Sequence, residues 1–307
     1  MFYHNGLTIL AEQVELEGDD ILWIDRYTVV NGCQSLATLY ENKNTISNEL
    51  RLLARVIKLP PAAELAAKIT RHSNNQNSIS ARDLQSNSGI QKRLQQDFTT
   101  TFGTEFGYQI KRGEVIDCEY LITNETAAKV LLAFDLEQPW SCHQSYRYFD
   151  DLHSEIFARP EVAAIRIVTL VAVLEAVQES LKQLKNHLAA NYSVMPFFMM
   201  YLLKNALVSD ERGKEFCRDP GSFLQRSSFQ EIRIILQRVA DDLVVDLNAE
   251  FDDRDENRNP FDHKRELKSV TAVRALRSQV IPSYQKAIKR NRATSFGAEW
   301  DGRESPA

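Results

Sequence analysis

The hydrophobic pattern of the chain changes its period near Thr123, and no other sequence feature constrains the fold as strongly. Ahead of this point, apolar residues form short β-branched or aromatic runs that polar or glycine-containing turns separate. Beyond it, apolar residues recur at helical spacing over long segments. The pattern predicts an α+β protein, with a small mixed-sheet region at residues 1–120, an all-α helical bundle at 121–295 and a disordered tail at 296–307.

The N-terminal region is predicted to contain strands and helices in the order β-β-β-α-β-α. The predicted strands are residues 7–10, 21–24, 27–30 and 52–59, and the predicted helices are residues 34–40 and 62–72. A polar helix at residues 80–98 and a short strand at 108–111 follow. This order is typical of a compact mixed sheet with helices packed against it.

The helical region carries recognisable helix starts. Asn124 is predicted to cap its first helix, and Pro160 to open a long apolar helix. Ser228 begins a capping-box sequence ahead of another helix. A last helix is predicted at residues 269–290, with Pro282 as a kink.

The composition excludes several classes of protein. A chain with 43% hydrophobic and 26% charged residues can bury a core without a disulfide or a metal. Its four cysteines are far apart, which predicts reduced thiols in a cytoplasmic protein. The most apolar run, residues 192–208, is interrupted by Pro196, Lys204 and Asn205, so we expect no membrane span. A net charge of -5 argues against a chain that coats nucleic acid with its whole surface, but it allows a local basic groove.

A strand-turn-helix segment at residues 28–35 is the most informative local motif. Gly32 permits a positive φ or a close backbone approach that a side chain would block. The backbone N–H groups of Gln34 and Ser35 would then point out of a helix start, where an anion is favoured. Asn31-Gly32 is also typical of a simple turn, which is the alternative interpretation.

An amide-rich run follows the next predicted helix, at residues 73–78. Asn74, Asn75 and Asn77 are suited to hydrogen bonds with a phosphate, a ribose or a base edge. The run is therefore predicted to form a second wall of a ligand site.

Two further segments carry positive charge. Lys111 and Arg112 follow the aromatic residues Phe106 and Tyr108, a mixture that could stack a base and hold a phosphate. A solvated strand end is the alternative there. The end of the last predicted helix is also basic, and either a nucleic-acid contact or the helix dipole accounts for its cations, Lys286, Lys289, Arg290 and Arg292.

Four blocks of sequence occur in order, at residues 2–9, 30–35, 73–79 and 108–113. Together they resemble the abortive infection phage resistance family, abbreviated AIPR; residues 30–35, for example, resemble its Val-Asn-Gly-x-Gln-Thr signature. The resemblance implies a role in phage defence. We expect a ligand or nucleic-acid site lined by residues of these blocks: Asn5, Asn31, Gly32, Gln34, Ser35, Asn74, Asn75, Asn77, Lys111 and Arg112.

The order of elements around the turn also resembles the nucleotide-binding core of ParB and sulfiredoxin proteins. That resemblance implies an arginine in the glycine turn, where it would read a triphosphate. This chain has Gln34-Ser35 instead, and a neutral amide and hydroxyl cannot give charged bidentate contacts to phosphate. We therefore expect a ParB-like mixed-sheet core that recognises a nucleic acid or nucleotide without catalysis in this chain. A ParB-like nucleoside triphosphate hydrolase is the enzyme alternative.

The family resemblance also bears on partners. Longer members carry a region ahead of the first block, often of restriction-endonuclease type, whereas this chain starts at that block. We expect a short member, a gene fragment or one half of a split system whose partner is a nuclease encoded upstream. A regulatory module for that nuclease is thus a further alternative, and homo-oligomer formation is a further expectation.

We expect no metal site and no bound cofactor. A nucleotide is the one candidate cofactor. Residues 253–259 alternate acids and amides like the start of a calcium loop, but Arg258 replaces the required glycine. Lys264 stands where a bidentate glutamate belongs. The segment is therefore predicted to be a solvated loop.

Overall fold

The protein is divided into two compact units, residues 1–84 and residues 85–307, in a computed structural model. The structure describes residues 6–18, 20–32, 36, 39–40, 42–43, 46–47, 50–58, 89–111 and 113–302. The helix predicted at residues 62–72 and the amide-rich run lie outside these ranges. The strand near residue 108 belongs to the second unit, although the hydrophobic pattern assigned it to the N-terminal region.

The described part of the first unit contains a three-stranded sheet in the order β2-β1-β3. Strands β1 (Leu7–Glu17) and β2 (Ile21–Asn31) form a long antiparallel hairpin. Strand β3 (Ala54–Lys58) runs parallel to the first five residues of β1, from Leu7 to Ala11. A parallel neighbour requires a crossover connection, and the backbone is helical at three described residues after β2: Leu36, Leu39 and Tyr40.

The separate strands predicted at residues 21–24 and 27–30 are one continuous strand, so that prediction was wrong. Asp25 and Arg26 have the polarity of a break, and Arg26 has a φ of +48°, but the pairing with β1 holds on both sides of Arg26, with Asp25 opposite Gln13 and Tyr27 opposite Ala11. These residues are exposed on the hairpin, where polar side chains do not interrupt a strand.

The second unit is mostly helical, with one short parallel strand pair, β4 (Phe106–Gln109) and β5 (Tyr120–Thr123). No helix in the described ranges is both long and apolar enough to cross a membrane. The described α-helices of this unit are α1 (Gly89–Phe102), α2 (Asn124–Val130), α3 (His153–Phe157), α4 (Ala164–Ser180), α5 (His187–Ala190), α6 (Met195–Leu207), α7 (Glu211–Arg218), α8 (Pro220–Leu224), α9 (Phe229–Glu256), α10 (His263–Glu266), α11 (Val270–Lys289) and α12 (Phe296–Gly302).

Helix α4 is the centre of the core of the second unit. Thirteen of its seventeen residues are buried, which is the pattern of a helix surrounded by others. It begins at Ala164 rather than at the predicted Pro160, and the Ala164 backbone N–H donates to Asp97 of α1 at 2.6 Å. At its other end the Ser180 hydroxyl donates to the Gln237 carbonyl of α9 at 3.3 Å. Helices α1 and α9 are thus bonded to opposite ends of α4.

The predicted helix caps had different outcomes. Ser228 forms the predicted capping box, with its hydroxyl accepting the Glu231 backbone N–H at 3.2 Å and its own N–H donating to the Glu231 carboxylate at 2.9 Å. The cap predicted at Asn124 was wrong, because Thr123 occupies that position. Asn124 is buried instead, and its side chain donates to the Ile110 carbonyl at 2.9 Å. It therefore ties the residue after β4 to the start of α2.

The C-terminal part of the second unit corrects two more predictions. The tail predicted to be disordered contains α12, which buries Phe296 and Trp300 against Phe223, with ring centroids 5.8 Å and 4.6 Å away. These aromatic contacts order a segment too short to show a helical repeat. The loop predicted at residues 253–259 begins inside α9, which continues to Glu256.

Candidate functional site

The signature turn begins where β2 ends. Gly32 has a φ of +92°, and a Cβ added there would lie 2.4 Å from Leu7 Cδ2 and 3.1 Å from the Gly6 carbonyl oxygen. Both uses predicted for this glycine, a positive φ and a close backbone approach, are confirmed. The Leu36 backbone N–H donates to the Gly32 carbonyl at 3.1 Å, the spacing of an α-helical hydrogen bond, and the backbone at Leu36 is helical.

A second glycine stands at the start of β1, inside the first of the four sequence blocks. Gly6 has a φ of +79°, and a Cβ added there would lie 2.6 Å from the Leu53 carbonyl oxygen. The next residue, Leu7, donates its backbone N–H to the same oxygen at 2.8 Å. The start of β1, the end of β2 and the chain ahead of β3 therefore converge, which brings the first two sequence blocks together.

Strand register aligns three residues across this end of the sheet. Thr8 of β1 is paired with Asn31 of β2 on one side and with Arg55 of β3 on the other. Paired residues on neighbouring strands project from the same face, so the Arg55 side chain shares a face with that of Thr8. Arg55 is exposed, and no described residue forms an ion pair with it.

Arg55 was missed by the sequence reasoning. The signature turn lacks a guanidinium, and Arg55 belongs to another strand that register aligns with the turn. Its presence in the predicted strand at residues 52–59 was visible, but the pairing of that strand with β1 was not.

The predicted site residues are described only in part. Asn31 and Gly32 lie at the sheet end, and Lys111 is an exposed residue of the second unit. The remaining predicted site residues lie outside the described ranges: Asn5, Gln34, Ser35, Asn74, Asn75, Asn77 and Arg112.

The turn that contains Lys111 is organised by Glu114. The Glu114 carboxylate accepts the backbone N–H groups of Ile110 at 3.0 Å and Lys111 at 3.2 Å, and the Gln95 amide at 3.0 Å. Burial raises the pKa of Glu114, but these hydrogen bonds outweigh burial and hold the pKa below its usual range. A carboxylate therefore lies inside the predicted positive flank and reduces its positive potential.

The comparisons with known proteins match the chain to one family. The family model described as AIPR protein matches residues 1–245, from the N-terminus into α9. This chain belongs to the AIPR family. No curated protein and no solved structure matches the chain. Membership of the AIPR family supports a role in abortive infection, a form of phage defence.

The fourth AIPR-like block contributes buried packing rather than a base-stacking surface. Tyr108 is 1% exposed and Phe106 is 5% exposed, so the prediction that these rings could stack a base was wrong. Tyr108 stacks on Phe98 of α1 at 4.9 Å, and its hydroxyl donates to the Gln91 side chain at 2.8 Å. The two rings share one face of β4 and are buried against aromatic residues of two helices, Phe98 of α1 and Phe229 of α9.

The same contacts include a buried histidine. The Gln91 amide nitrogen lies 3.4 Å from His153 Nε2, and His153 belongs to α3. Because the Gln91 carbonyl oxygen accepts from Tyr108, its amide nitrogen is the group that faces the ring, and a neutral His153 accepts that hydrogen bond. Burial lowers the pKa of His153, which favours the same neutral form.

We expect His153→Gln to weaken the acid sensitivity of the fold. Because the folded-state pKa of His153 lies below the ordinary value of 6.5, the unfolded chain binds the proton more readily. The contribution of His153 to stability is complete above pH 6.5 and is lost as the pH falls from there through the folded-state pKa. Urea unfolding at a series of pH values should show wild type losing stability faster than the variant below pH 6.5. The control is His143→Gln at an exposed histidine, and equal slopes for all three proteins would refute the assignment.

The predicted basic helix end lies in the second unit. The last turn of α11 and the residues after it present four exposed cations, and none of them forms an ion pair with a described residue. These residues are Lys286, Lys289, Arg290 and Arg292. The patch allows a nucleic-acid contact, but helix-dipole complementarity explains its position equally well.

The described residues contain no group of three or more His, Cys, Asp or Glu side chains that could hold a metal ion. Burial raises the pKa of Cys217 to about 12 and raises the pKa of Cys142 as well. Both thiols are therefore protonated at neutral pH and poor nucleophiles.

Proposed function

We propose that this AIPR protein acts in phage defence by recognising a nucleic acid or a nucleotide at the end of its N-terminal sheet. The observation that carries the proposal is the pairing of Thr8 with both Asn31 and Arg55. It aligns the signature turn with an exposed guanidinium on β3, on the other side of β1 in the sheet. In this proposal the chain binds its ligand and does not cleave it.

The chemistry of the sheet end suits a phosphate group. Gly6 and Gly32 lack side chains where chain segments approach closely, and this close approach holds the signature turn and the chain ahead of β3 at one end of the sheet. Arg55 offers the planar donor pair that phosphate accepts best. The amides of Asn74, Asn75 and Asn77 are proposed as contacts to sugar or base, on the basis of their sequence pattern.

Arg55→Gln tests this proposal, with Lys58→Gln as the matched control. Both residues are exposed cations on β3, but they are three positions apart and project from opposite faces of the sheet. Fluorescence anisotropy with labelled single-stranded DNA, duplex DNA, RNA and a fluorescent adenosine triphosphate analogue would measure binding. We expect Arg55→Gln to weaken binding about tenfold or more, because a charge-assisted hydrogen bond contributes about 1.5–3 kcal/mol. Lys58→Gln should leave it nearly unchanged.

The salt dependence of binding identifies the kind of contact. Loss of one phosphate contact reduces the slope of log binding constant against log salt concentration by about one. Arg55→Gln should show this reduction with a nucleic-acid probe. Absence of binding by the wild-type chain to every probe would contradict the proposal and favour a regulatory module for a separate nuclease.

Phosphate release separates recognition from the ParB-like hydrolase alternative. Incubation with each nucleoside triphosphate should give no release above that of a buffer blank if the chain only binds. Release by the wild-type chain that falls in Arg55→Gln would replace the recognition proposal with the enzyme.

A further inference from the structure

The segment that contains α11 has a charge balance opposite to that of the whole chain. Acids outnumber cations in the full sequence, 42 to 37, but residues 267–292 contain seven Lys or Arg residues and no Asp or Glu. We call residues 267–292 the basic segment. Six of its cations are exposed, Arg277 is half-buried, and none forms an ion pair with a residue in the described ranges; the seven are Lys268, Arg274, Arg277, Lys286, Lys289, Arg290 and Arg292. The segment lies beyond residue 245, where the match to the AIPR family model ends.

The helix dipole explains only part of this pattern. It favours cations within the last turn of a helix and disfavours them at the start. It therefore accounts for the cations that follow Gln285. It does not account for Lys268, which directly precedes the N-cap Ser269, or for Arg274 and Arg277 in the first half of α11. Positive charge along the whole segment needs another explanation.

The two arginines of α11 are held in place by neutral groups. The Arg274 guanidinium carbon lies 5.6 Å from the centre of the Trp140 ring. That of Arg277 lies 5.9 Å from the centre of the Tyr201 ring, and its Nη1 donates to Asn205 Oδ1 at 3.4 Å. Contact with an aromatic face orients a guanidinium without cancelling its charge, so it remains suited to a phosphate.

One carboxylate acts on this cluster. Burial raises the pKa of Tyr201, and the charged groups that act on its hydroxyl are Arg277, Glu137 and Arg274. The Glu137 carboxylate forms an ion pair with Lys204 at 2.9 Å. Glu137 and Lys204 compensate each other, so the cluster retains the two positive charges of its arginines.

The acids of α9 reach another side of α11. The Ser283 hydroxyl donates to Asp246 of α9 at 2.8 Å, so Ser283 marks the side that faces these acids. At about 100° of rotation per residue, Arg274 lies about 180° from Ser283 around the helix, and Lys289 lies about 120° from it. These two cations therefore project away from the acids of α9.

We propose that the basic segment binds the phosphate backbone of a nucleic acid. Helix α11 has 20 residues and is about 30 Å long, the axial length of about nine base pairs of duplex DNA. Contacts from arginine and lysine to phosphates hold a strand without reading its sequence. The basic segment belongs to the second unit, whereas the candidate site at the sheet end belongs to the first. This contact therefore goes beyond the proposed function.

The packing of α11 favours a nucleic acid over a membrane surface. A helix that binds an anionic membrane inserts its apolar face between the lipids. The apolar face of α11 is buried in the second unit; its residues are Val273, Leu276, Val280 and Tyr284. The exposed side offers charge and small polar groups, such as Thr271 and Ser278, which suit a phosphate backbone.

The double variant Arg274→Gln/Lys289→Gln of the full chain tests the proposal. The charge-matched control is Lys92→Gln/Lys182→Gln, at two exposed lysines of the second unit outside the basic segment. Fluorescence anisotropy would measure binding of labelled duplex and single-stranded DNA over a series of salt concentrations. The α11 variant should bind about tenfold more weakly or worse, because two charge-assisted contacts are lost. The slope of log binding constant against log salt concentration should fall by about two.

A single change separates charge from packing. Lys289→Gln leaves the contact between Arg274 and Trp140 intact and should still lower the salt slope by about one. The control double variant should keep the wild-type slope. Circular dichroism of all three variants should match wild type, since every substituted residue is exposed.

The outcomes distinguish this contact from the site at the sheet end. A wild-type chain that binds the fluorescent nucleotide but no nucleic acid overturns this inference and leaves the proposed function intact. A slope that falls in Arg55→Gln but not in the α11 variants also overturns it, because the sheet end then supplies the contacts. Equal losses in the control double variant reduce the effect to net charge and reject the basic segment. Cosedimentation with phosphatidylserine vesicles, without binding to either DNA, would assign the segment to a membrane surface instead.

Discussion

Replacing Asp135 with asparagine should destabilise the helical unit by about 3–5 kcal/mol, the typical effect of removing one partner from a buried ion pair. The Asp135 side chain is 1% exposed and lies at the end of a π-helical turn, Leu131–Asp135. One of its carboxylate oxygens accepts from Arg159 at 3.0 Å and from Arg166 at 2.9 Å, and the other accepts from Arg166 at 2.8 Å. Asparagine retains the shape and removes the charge, so both guanidinium groups lose their counter-ion.

The large effect follows from how many elements Asp135 joins. Arg166 lies on α4 and also donates to the Arg218 carbonyl at the end of α7, at 3.1 Å. The Lys204 ammonium of α6 donates to the Asp135 backbone carbonyl at 3.3 Å. Helices α4 and α6 are thus bonded to Asp135 itself, and α7 is bonded to Arg166, so an uncompensated Arg166 on the central helix weakens the contacts of both α4 and α7.

The matched control is Asp151→Asn, which removes an ion pair at the surface. Asp151 accepts from Arg147 at 2.6 Å, but its side chain is 55% exposed, so water replaces the lost contact. An exposed pair of this kind contributes within about 1 kcal/mol. Urea unfolding followed by far-ultraviolet circular dichroism should separate the two variants clearly. Similar midpoints for both would show that the buried network adds nothing beyond a surface pair.

The Asp135 network also shows where sequence reasoning stops. Ser228 and its capping box were predictable because every residue involved lies within one helical turn. Asp135 and Arg166 are 31 positions apart, and no local pattern marks them as partners. The π-helical turn that aims Asp135 inward is likewise invisible in the hydrophobic period. Contacts between distant elements are decided by packing, which the chain order alone does not specify.

The candidate site likewise contains one feature that the sequence predicted and one that it did not. The positive φ of Gly32 was predictable from an Asn-Gly pair at a strand end. Arg55 was not, because parallel pairing of β3 with β1 depends on a crossover whose length leaves the register open. The missing guanidinium in the signature turn was a correct observation about residues 34–35. That observation did not mean that the whole sheet end lacks a guanidinium, because Arg55 supplies one from β3.

Gly6→Ala should unfold the end of the sheet that carries the candidate site. The left-handed backbone at φ +79° costs a non-glycine residue about 1–2 kcal/mol. The added Cβ would lie 2.6 Å from the Leu53 carbonyl oxygen, a backbone atom that cannot rotate away. Overpacking of this kind costs about a further 1–3 kcal/mol. The same oxygen accepts the Leu7 N–H, so relief of the clash also breaks the first bond between β1 and the chain ahead of β3.

Comparison with Gly18→Ala isolates the steric part of this effect. Gly18 lies in the hairpin turn with a φ of +64°, and a Cβ added there meets no atom within 4 Å. It carries the backbone cost alone, so the difference between the two variants measures the close approach at Gly6. Amide hydrogen exchange over the paired residues of β1 and β3 should accelerate strongly in Gly6→Ala and little in Gly18→Ala. If both variants exchange alike, the convergence at Gly6 is too loose to hold Arg55 beside the signature turn, and the proposed binding site loses its structural basis.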